Sequence, residues 1–263
     1  MSLSPSLITT LTPLLTLLLL FVVVALFLLL MRPRRFFFIR HGETLLNAQH
    51  IRQDEEGGLS PSGKKQAERL GEYLKRFPID RIISSTYPRA RETSAILNTH
   101  LNVSIVCSPL LAERRNPSEI VGKQTHDPEV IRIVDQMDLA YHPDEYRFSD
   151  EENFIDLKKR ARKCLSLLER QGAPETVVVT HHVILKMIIA YALYHESLHS
   201  ADFVKLSFFN YSQNAGITIC EYHPWKMFSK THGWEVISFN EQPEEPIGIS
   251  EEKKGLVFHT PGV

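Results

Sequence analysis

The chain has 263 residues, 43% of them hydrophobic and 23% charged, with a formal net charge of −1. That length holds one sizeable domain with appendages. In the near-neutral balance no strong basic excess points to nucleic acid and no acidic excess points to a solvating tail protein, so charge-based recognition has to be local. Three scattered cysteines, Cys107, Cys164 and Cys220, form no C-x-x-C pair. This argues against a disulfide framework and against a structural zinc site.

From Leu7 to Met31 no side chain is charged, and from Leu17 to Met31 every one is apolar. Roughly 20 apolar residues cross about 30 Å of hydrocarbon, so residues 7–31 are expected to anchor the chain in a membrane. A cleaved signal peptide would call for a basic leader, a shorter apolar core and a small-residue cleavage site, whereas this run ends in Leu-Leu-Leu-Met-Arg. Arg32, Arg34 and Arg35 follow at once. The positive-inside rule then places the remainder in the cytoplasm.

Phe36 to Ile39 reads as a buried strand. Ser60-Pro61-Ser62 marks a helix start, and Ala67, Leu70, Leu74 and Phe77 carry an amphipathic helix to about Phe77. Arg81 to Ser85 reads as a second strand, Tyr87 to about His100 as a helix, and Ser104 to Cys107 as a third strand. The stretch from Ser108 to Tyr146 is broken by prolines, with one helix expected from about Glu129 to Leu139. Phe154, Leu157, Ala161, Cys164 and Leu168 give a clear amphipathic helix. Thr176 to Thr180 is a β-branched strand buried on both faces. Val183 to Tyr194 should be a packed helix, and Gly216–Tyr222 and Trp234–Phe239 a late pair of strands. The strand–helix alternation predicts an α/β three-layer sandwich with a largely parallel sheet. The expected organisation is an anchor with its basic flank (1–35), a catalytic domain (36–239) and a mobile tail rich in Pro and Glu (240–263).

Arg40-His41-Gly42-Glu43-Thr44 follows directly on the first strand. Open α/β sheets bind ligands beyond the carboxyl ends of their strands, so this segment delivers a cation and a nucleophile to the expected site. The motif resembles the signature of the histidine phosphatase superfamily, which includes the phosphoglycerate mutases. Further segments resemble that family in order: Asn47 in R-H-G-E-x-x-x-N, Leu59-Ser60-Pro61-Ser62-Gly63 with Gln66-Ala67, Arg89-Ala90-Arg91-Glu92-Thr93 after Ser84-Ser85, Leu111-Ala112-Glu113, and Val177-Val178-Val179-Thr180-His181. The resemblance covers about Phe36 to Phe239. It implies His41 as the nucleophile that takes the phosphoryl group, with Glu113 as proton donor. It further implies Arg40, Asn47, Arg89 and His181 as phosphate-binding residues, His181 counting also among the catalytic groups.

Physical chemistry agrees with these roles. A phosphomonoester dianion repels a nucleophile unless fixed donors offset its charge, and guanidinium forks suit phosphoryl oxygens. Histidine attacks only as neutral imidazole, a form favoured by nearby cations. The scheme requires neither metal nor cofactor. Two departures from the family pattern stand out. His182 occupies a position that is usually glycine, and Arg52-Gln53-Asp54-Glu55-Glu56 does not reproduce the longer mutase pattern. A phosphatase is therefore expected, with a mutase-like phosphotransferase or an inactive membrane-tethered scaffold as the alternatives. The partners expected are a small phosphorylated substrate or a phosphoprotein, and the membrane, with no nucleic acid. His195-Glu196-Ser197-Leu198-His199 matches the zinc-protease H-E-x-x-H pattern. It falls where a helix should end and is read as a coincidence. Asn102-Val103-Ser104 and Asn210-Tyr211-Ser212 match the glycosylation sequon, which matters only outside the cytoplasm.

Overall fold

A computed structural model describes residues 5–137, 143–171, 173–209 and 212–243. The expected tail falls mostly beyond residue 243 and so outside the described residues, as do the last residues of the helix expected to reach Leu139 and the sequon at Asn210.

Helix α1 (Pro5–Leu30) has 26 residues, about 39 Å at 1.5 Å per residue. Its side chains are described for residues 15–29, all exposed. Those described side chains are fewer than the roughly 20 that a crossing needs, and among the described residues no helix is long and apolar enough to cross a membrane.

Strand β1 (Arg34–Arg40) follows α1 almost directly, and the short helix α2 (Leu45–Ala48) comes next. Then come α3 (Pro61–Leu74), β2 (Arg81–Ser85), α4 (Pro88–Leu101), β3 (Ser104–Ser108), α5 (Pro128–Gln136), α6 (Phe154–Gln171), β4 (Glu175–Thr180), α7 (His182–Tyr194), α8 (Ser200–Phe209), β5 (Ile217–Tyr222) and β6 (Trp234–Glu241). The six strands form one sheet in the order β3-β2-β4-β1-β5-β6. The pairs β3–β2, β2–β4 and β4–β1 are parallel, whereas β1–β5 and β5–β6 are antiparallel.

Strand β1 shows why its sequence is continuously apolar. Successive strand side chains point to opposite faces. Phe36 and Phe38 pack with Phe154, Leu157, Leu185 and Ile188 from α6 and α7. Phe37 and Ile39 pack on the other face with Leu70, Leu74, Ala90 and Leu97 from α3 and α4. All four β1 side chains are fully buried, so the sheet is sandwiched as the alternation predicted. Helix α3 stops at Leu74, one turn short of the expected end, and Phe77 packs from the following turn against Phe37. Helix α8 was not foreseen, because Phe203-Val204 and Phe208-Phe209 look as much like strand as helix.

Candidate active site

The carboxyl ends of β1, β2 and β4 converge on one site. Arg40 and Thr180 are register partners on neighbouring parallel strands, and His41 N–H donates to Thr180 O at 3.0 Å. The residues leaving the two strands are therefore side by side, and the His41 and His181 rings lie 5.0 Å apart. Both are buried, at 4% and 0% exposure.

The turn after His41 is held by the residues of the following motif. Ser60 caps α3, bonding Gly63 N at 3.0 Å and Glu43 Oε1 at 2.7 Å, while Gln66 Oε1 accepts from Glu43 N at 2.8 Å. The start of α3 sits so close to this turn that a Cβ on Gly42 would lie 2.6 Å from Gly63 O. One on Gly63 would lie 2.0 Å from Glu43 O. Both glycines are demanded by backbone approach.

His41 Nδ1 lies 2.7 Å from Gly42 O. A carbonyl only accepts, so Nδ1 carries the proton of the neutral ring and Nε2 keeps a bare lone pair. Burial, then the charges of Arg89 and Arg40, hold the His41 pKa well below its ordinary range. His181 is pushed down in the same way by burial, by His41 and by the two arginines. Its Nε2 pairs with Ser85 Oγ at 2.8 Å, and its Nδ1 is buried without a hydrogen-bond partner. The Tyr87 ring stands 5.1 Å from the His181 ring and under the Arg89 guanidinium at 4.9 Å.

Arg89, in the first turn of α4 and 2% exposed, donates through Nη1 to Asp54 O and Glu55 O at 2.8 and 3.2 Å. Thr93 Oγ1 bonds Arg89 O at 2.8 Å and accepts from Gly42 N at 3.1 Å, joining α4 to the signature turn. Arg40 donates to Ser212 O. The loop at 212–216 closes round the signature: Asn214 Nδ2 reaches His41 O at 3.0 Å and Asn47 Oδ1 at 3.4 Å, and Ala215 N donates to Arg40 O at 3.0 Å. Asn47 Oδ1 also accepts from Thr44 N in the cap of α2. With that oxygen occupied, the amide group left for a ligand is its NH₂.

Glu113 sits at the amino end of α7, immediately after His181. Oε1 accepts from Arg114 N, Val183 N and Ile184 N at 2.8, 3.1 and 3.2 Å, whereas Oε2 accepts only from Val183 N at 3.2 Å. His182, in place of the usual glycine, joins the frame of the site: Nδ1 lies 2.6 Å from the hydroxyl of Ser212, whose carbonyl holds Arg40. Burial, Lys186 and Arg40 push His182 down to about 4, and burial and Arg40 push Lys186 down to about 8. The candidate site residues Arg40, His41, Asn47, Arg89, Glu113 and His181, together with His182, thus fall at or beside one site. Sequence reasoning quoted Ser85 in the segment before Arg89 without giving it a role, and it missed Tyr87, Ser212 and Asn214. Ser85 ends a strand at the sheet's carboxyl edge and could have been found on that ground. The loop residues carried no local signal.

The H-E-x-x-H segment is not one helical face. Helix α7 ends at Tyr194, His195 has a positive φ of 50°, and His199 lies beyond a separate 3₁₀ turn, paired with Asp144 at 2.9 Å.

Residues 36–235 match the histidine phosphatase superfamily (branch 1). The chain belongs to this superfamily. It is 32% identical over 154 residues to the probable phosphatase C1687.21 of Schizosaccharomyces pombe, covering 56% of this chain and 68% of that one. It is 39% identical over 69 residues to the broad-specificity phosphatase YOR283W of Saccharomyces cerevisiae, a match covering 25% of this chain and 30% of that relative's length. Its fold is similar to that of a mycobacterial glucosyl-3-phosphoglycerate phosphatase, with a TM-score of 0.63 and 22% identity over 80% of this chain and 99% of that one.

The buried histidines make stability pH-dependent. Their folded pKa values lie below the unfolded value of about 6.5, so the unfolded chain takes up protons first and stability falls as pH drops below about 6.5. The slope for His41 and for His181 should approach about 1.4 kcal/mol per pH unit each, and for His182 this should continue down to about pH 4. Urea unfolding between pH 7 and 5 should show this slope, and His181→Gln should reduce it by close to one proton. An unchanged slope in His181→Gln would show that His181 does not titrate this way.

Proposed function

We propose that the chain is a phosphomonoester hydrolase that works through a phosphohistidine at His41. The observation that carries this reading is the His41 tautomer: Nδ1 is committed to Gly42 O, so Nε2 keeps its bare lone pair in a buried site that feels the charges of Arg89 and Arg40. Nε2 attacks phosphorus, the P–O ester bond breaks, and the leaving alkoxide takes a proton from Glu113. Water then attacks the phosphohistidine and gives its proton to Glu113. The P–N bond breaks, and inorganic phosphate leaves with His41 neutral again. Arg40 and Arg89 offset charge on the phosphoryl oxygens, and Asn47 Nδ2 adds a donor. With Ser85 Oγ–H donating to Nε2 of the neutral His181 ring, its N–H sits on Nδ1 and can donate a hydrogen bond to a phosphoryl oxygen.

The reading extends to location. Residues 7–31 form an uncharged apolar run followed by three arginines, which supports a membrane anchor with the domain on the cytoplasmic side. Strand β1 starts three residues after Met31 and ends at Arg40, about 20 Å further on at 3.3 Å per residue. His41 then faces away from the bilayer, and the favoured substrate is a water-soluble phosphomonoester or a phosphorylated protein segment. The full chain in detergent should release phosphate from such a panel, and sedimentation in alkaline carbonate should leave it in the membrane pellet. Absence of phosphate release from every phosphomonoester would refute the hydrolase. Extraction by carbonate would refute the anchor.

A further inference from the structure

The turn between β5 and β6 carries an exposed apolar group with no assigned purpose. Trp225 is 49% exposed, Met227 50% and Phe228 94%, with Lys230 exposed beside them. The turn is nonetheless well ordered internally. Lys226 N donates to His223 O, Ser229 N to Lys226 O and Gly233 N to Ser229 Oγ, Lys226 pairs with Glu235, and the His232 ring stacks on His195 at 3.9 Å. At its base Trp234 is buried, packed on Phe36 and Tyr222 and donating to Glu169 at 2.8 Å. An apolar tip on a fixed base is a surface that a partner covers.

Its place in the sheet says which partner. Tyr222, the last residue of β5, is the register partner of Arg34, the first of β1. Arg34 is three residues from Met31, at most about 10 Å of chain, and Trp225 is three residues from Tyr222, with the same limit. The end of the apolar run and the tip of the turn are thus at the same edge of the domain, opposite His41. We propose that this turn docks on the lipid surface, with Trp225, Met227 and Phe228 at the level of the headgroups and upper acyl chains, and with Lys230 and the exposed Arg32 facing anionic headgroups. Tryptophan favours that interface, because its ring is apolar and its N–H can stay wet. The chain would then be held at two points, which fixes the tilt of the domain and keeps the site turned to water. The inference rests on the anchor reading above and not on the chemistry at His41.

The two tryptophans supply the test. The full chain is reconstituted into vesicles of phosphatidylcholine and phosphatidylserine, with or without bromine on the upper acyl carbons of the phosphatidylcholine, and flotation is scored with emission. Roughly half of the emission, the share of one indole in two, should be lost in brominated vesicles. Trp225→Phe should abolish the quenching, and Phe228→Asp should weaken it while leaving phosphatase activity unchanged. A chain that floats with the vesicles yet shows no quenching of Trp225 overturns the docking and leaves the anchor standing. If Trp225 is also shielded from aqueous iodide in that case, a second copy or α1 itself covers the turn. A chain that does not float overturns both.

Discussion

His41→Ala is expected to reduce phosphate release to background, a loss on the order of 10⁴–10⁶-fold in kcat/KM for a nucleophile whose partners act as one unit. The expectation follows from the geometry of the ring. The Nδ1 bond to Gly42 O fixes which nitrogen attacks, and burial with Arg40 and Arg89 keeps the ring neutral. His181, whose ring lies 5.0 Å away, does not replace it, because its Nε2 is on Ser85. Removing a buried ring also leaves a cavity, so His41→Asn serves as a second variant that fills more of the space. Near-UV circular dichroism of both variants should match the parent. Either variant retaining more than about a hundredth of parental kcat/KM, well above the range for a lost nucleophile, would remove His41 from that role.

Glu113→Gln should separate substrates by leaving group. An alkyl alkoxide needs a proton, and supplying it is typically worth 10²–10⁴-fold, whereas nitrophenolate leaves unaided. Turnover of alkyl phosphates should fall by roughly that factor, while the first turnover on p-nitrophenyl phosphate persists as a burst of nitrophenol. Glutamine keeps an oxygen that can accept from the amino end of α7, so the contacts to Val183 N and Ile184 N are preserved. A variant that loses both substrate types equally, with no burst, would make Glu113 a structural cap of α7 and not the acid.

Much of this site was legible because its residues come in short local runs at strand and helix starts. Arg40-His41 ends β1, Arg89 opens α4 and His181 precedes α7, so reading the elements correctly also placed the site. The parallel order of β2, β4 and β1 then brings those termini to one edge. The remainder depends on contacts across the chain. Ser212 and Asn214 reach Arg40 and His41 from more than 170 positions away, and no periodicity records that. His182 carries no local signal of a role, and only its bond to Ser212 joins it to the Arg40 support. Helix α8 was missed for a different reason, since aromatic and β-branched residues suit either secondary structure until packing decides. Strand β6 runs to Glu241, two residues past the expected end of the domain, because β5 gives it a partner there.

The most direct measurement is to trap the intermediate. Parent enzyme mixed with ³²P-labelled substrate and quenched without acid should carry label that is stable to alkali and lost in acid, as expected of a phosphoramidate. Peptide mapping should place it on the segment containing His41, and His41→Asn should carry none. Label found on a serine, an aspartate or another histidine, or label undiminished in His41→Asn, would contradict nucleophilic catalysis by His41.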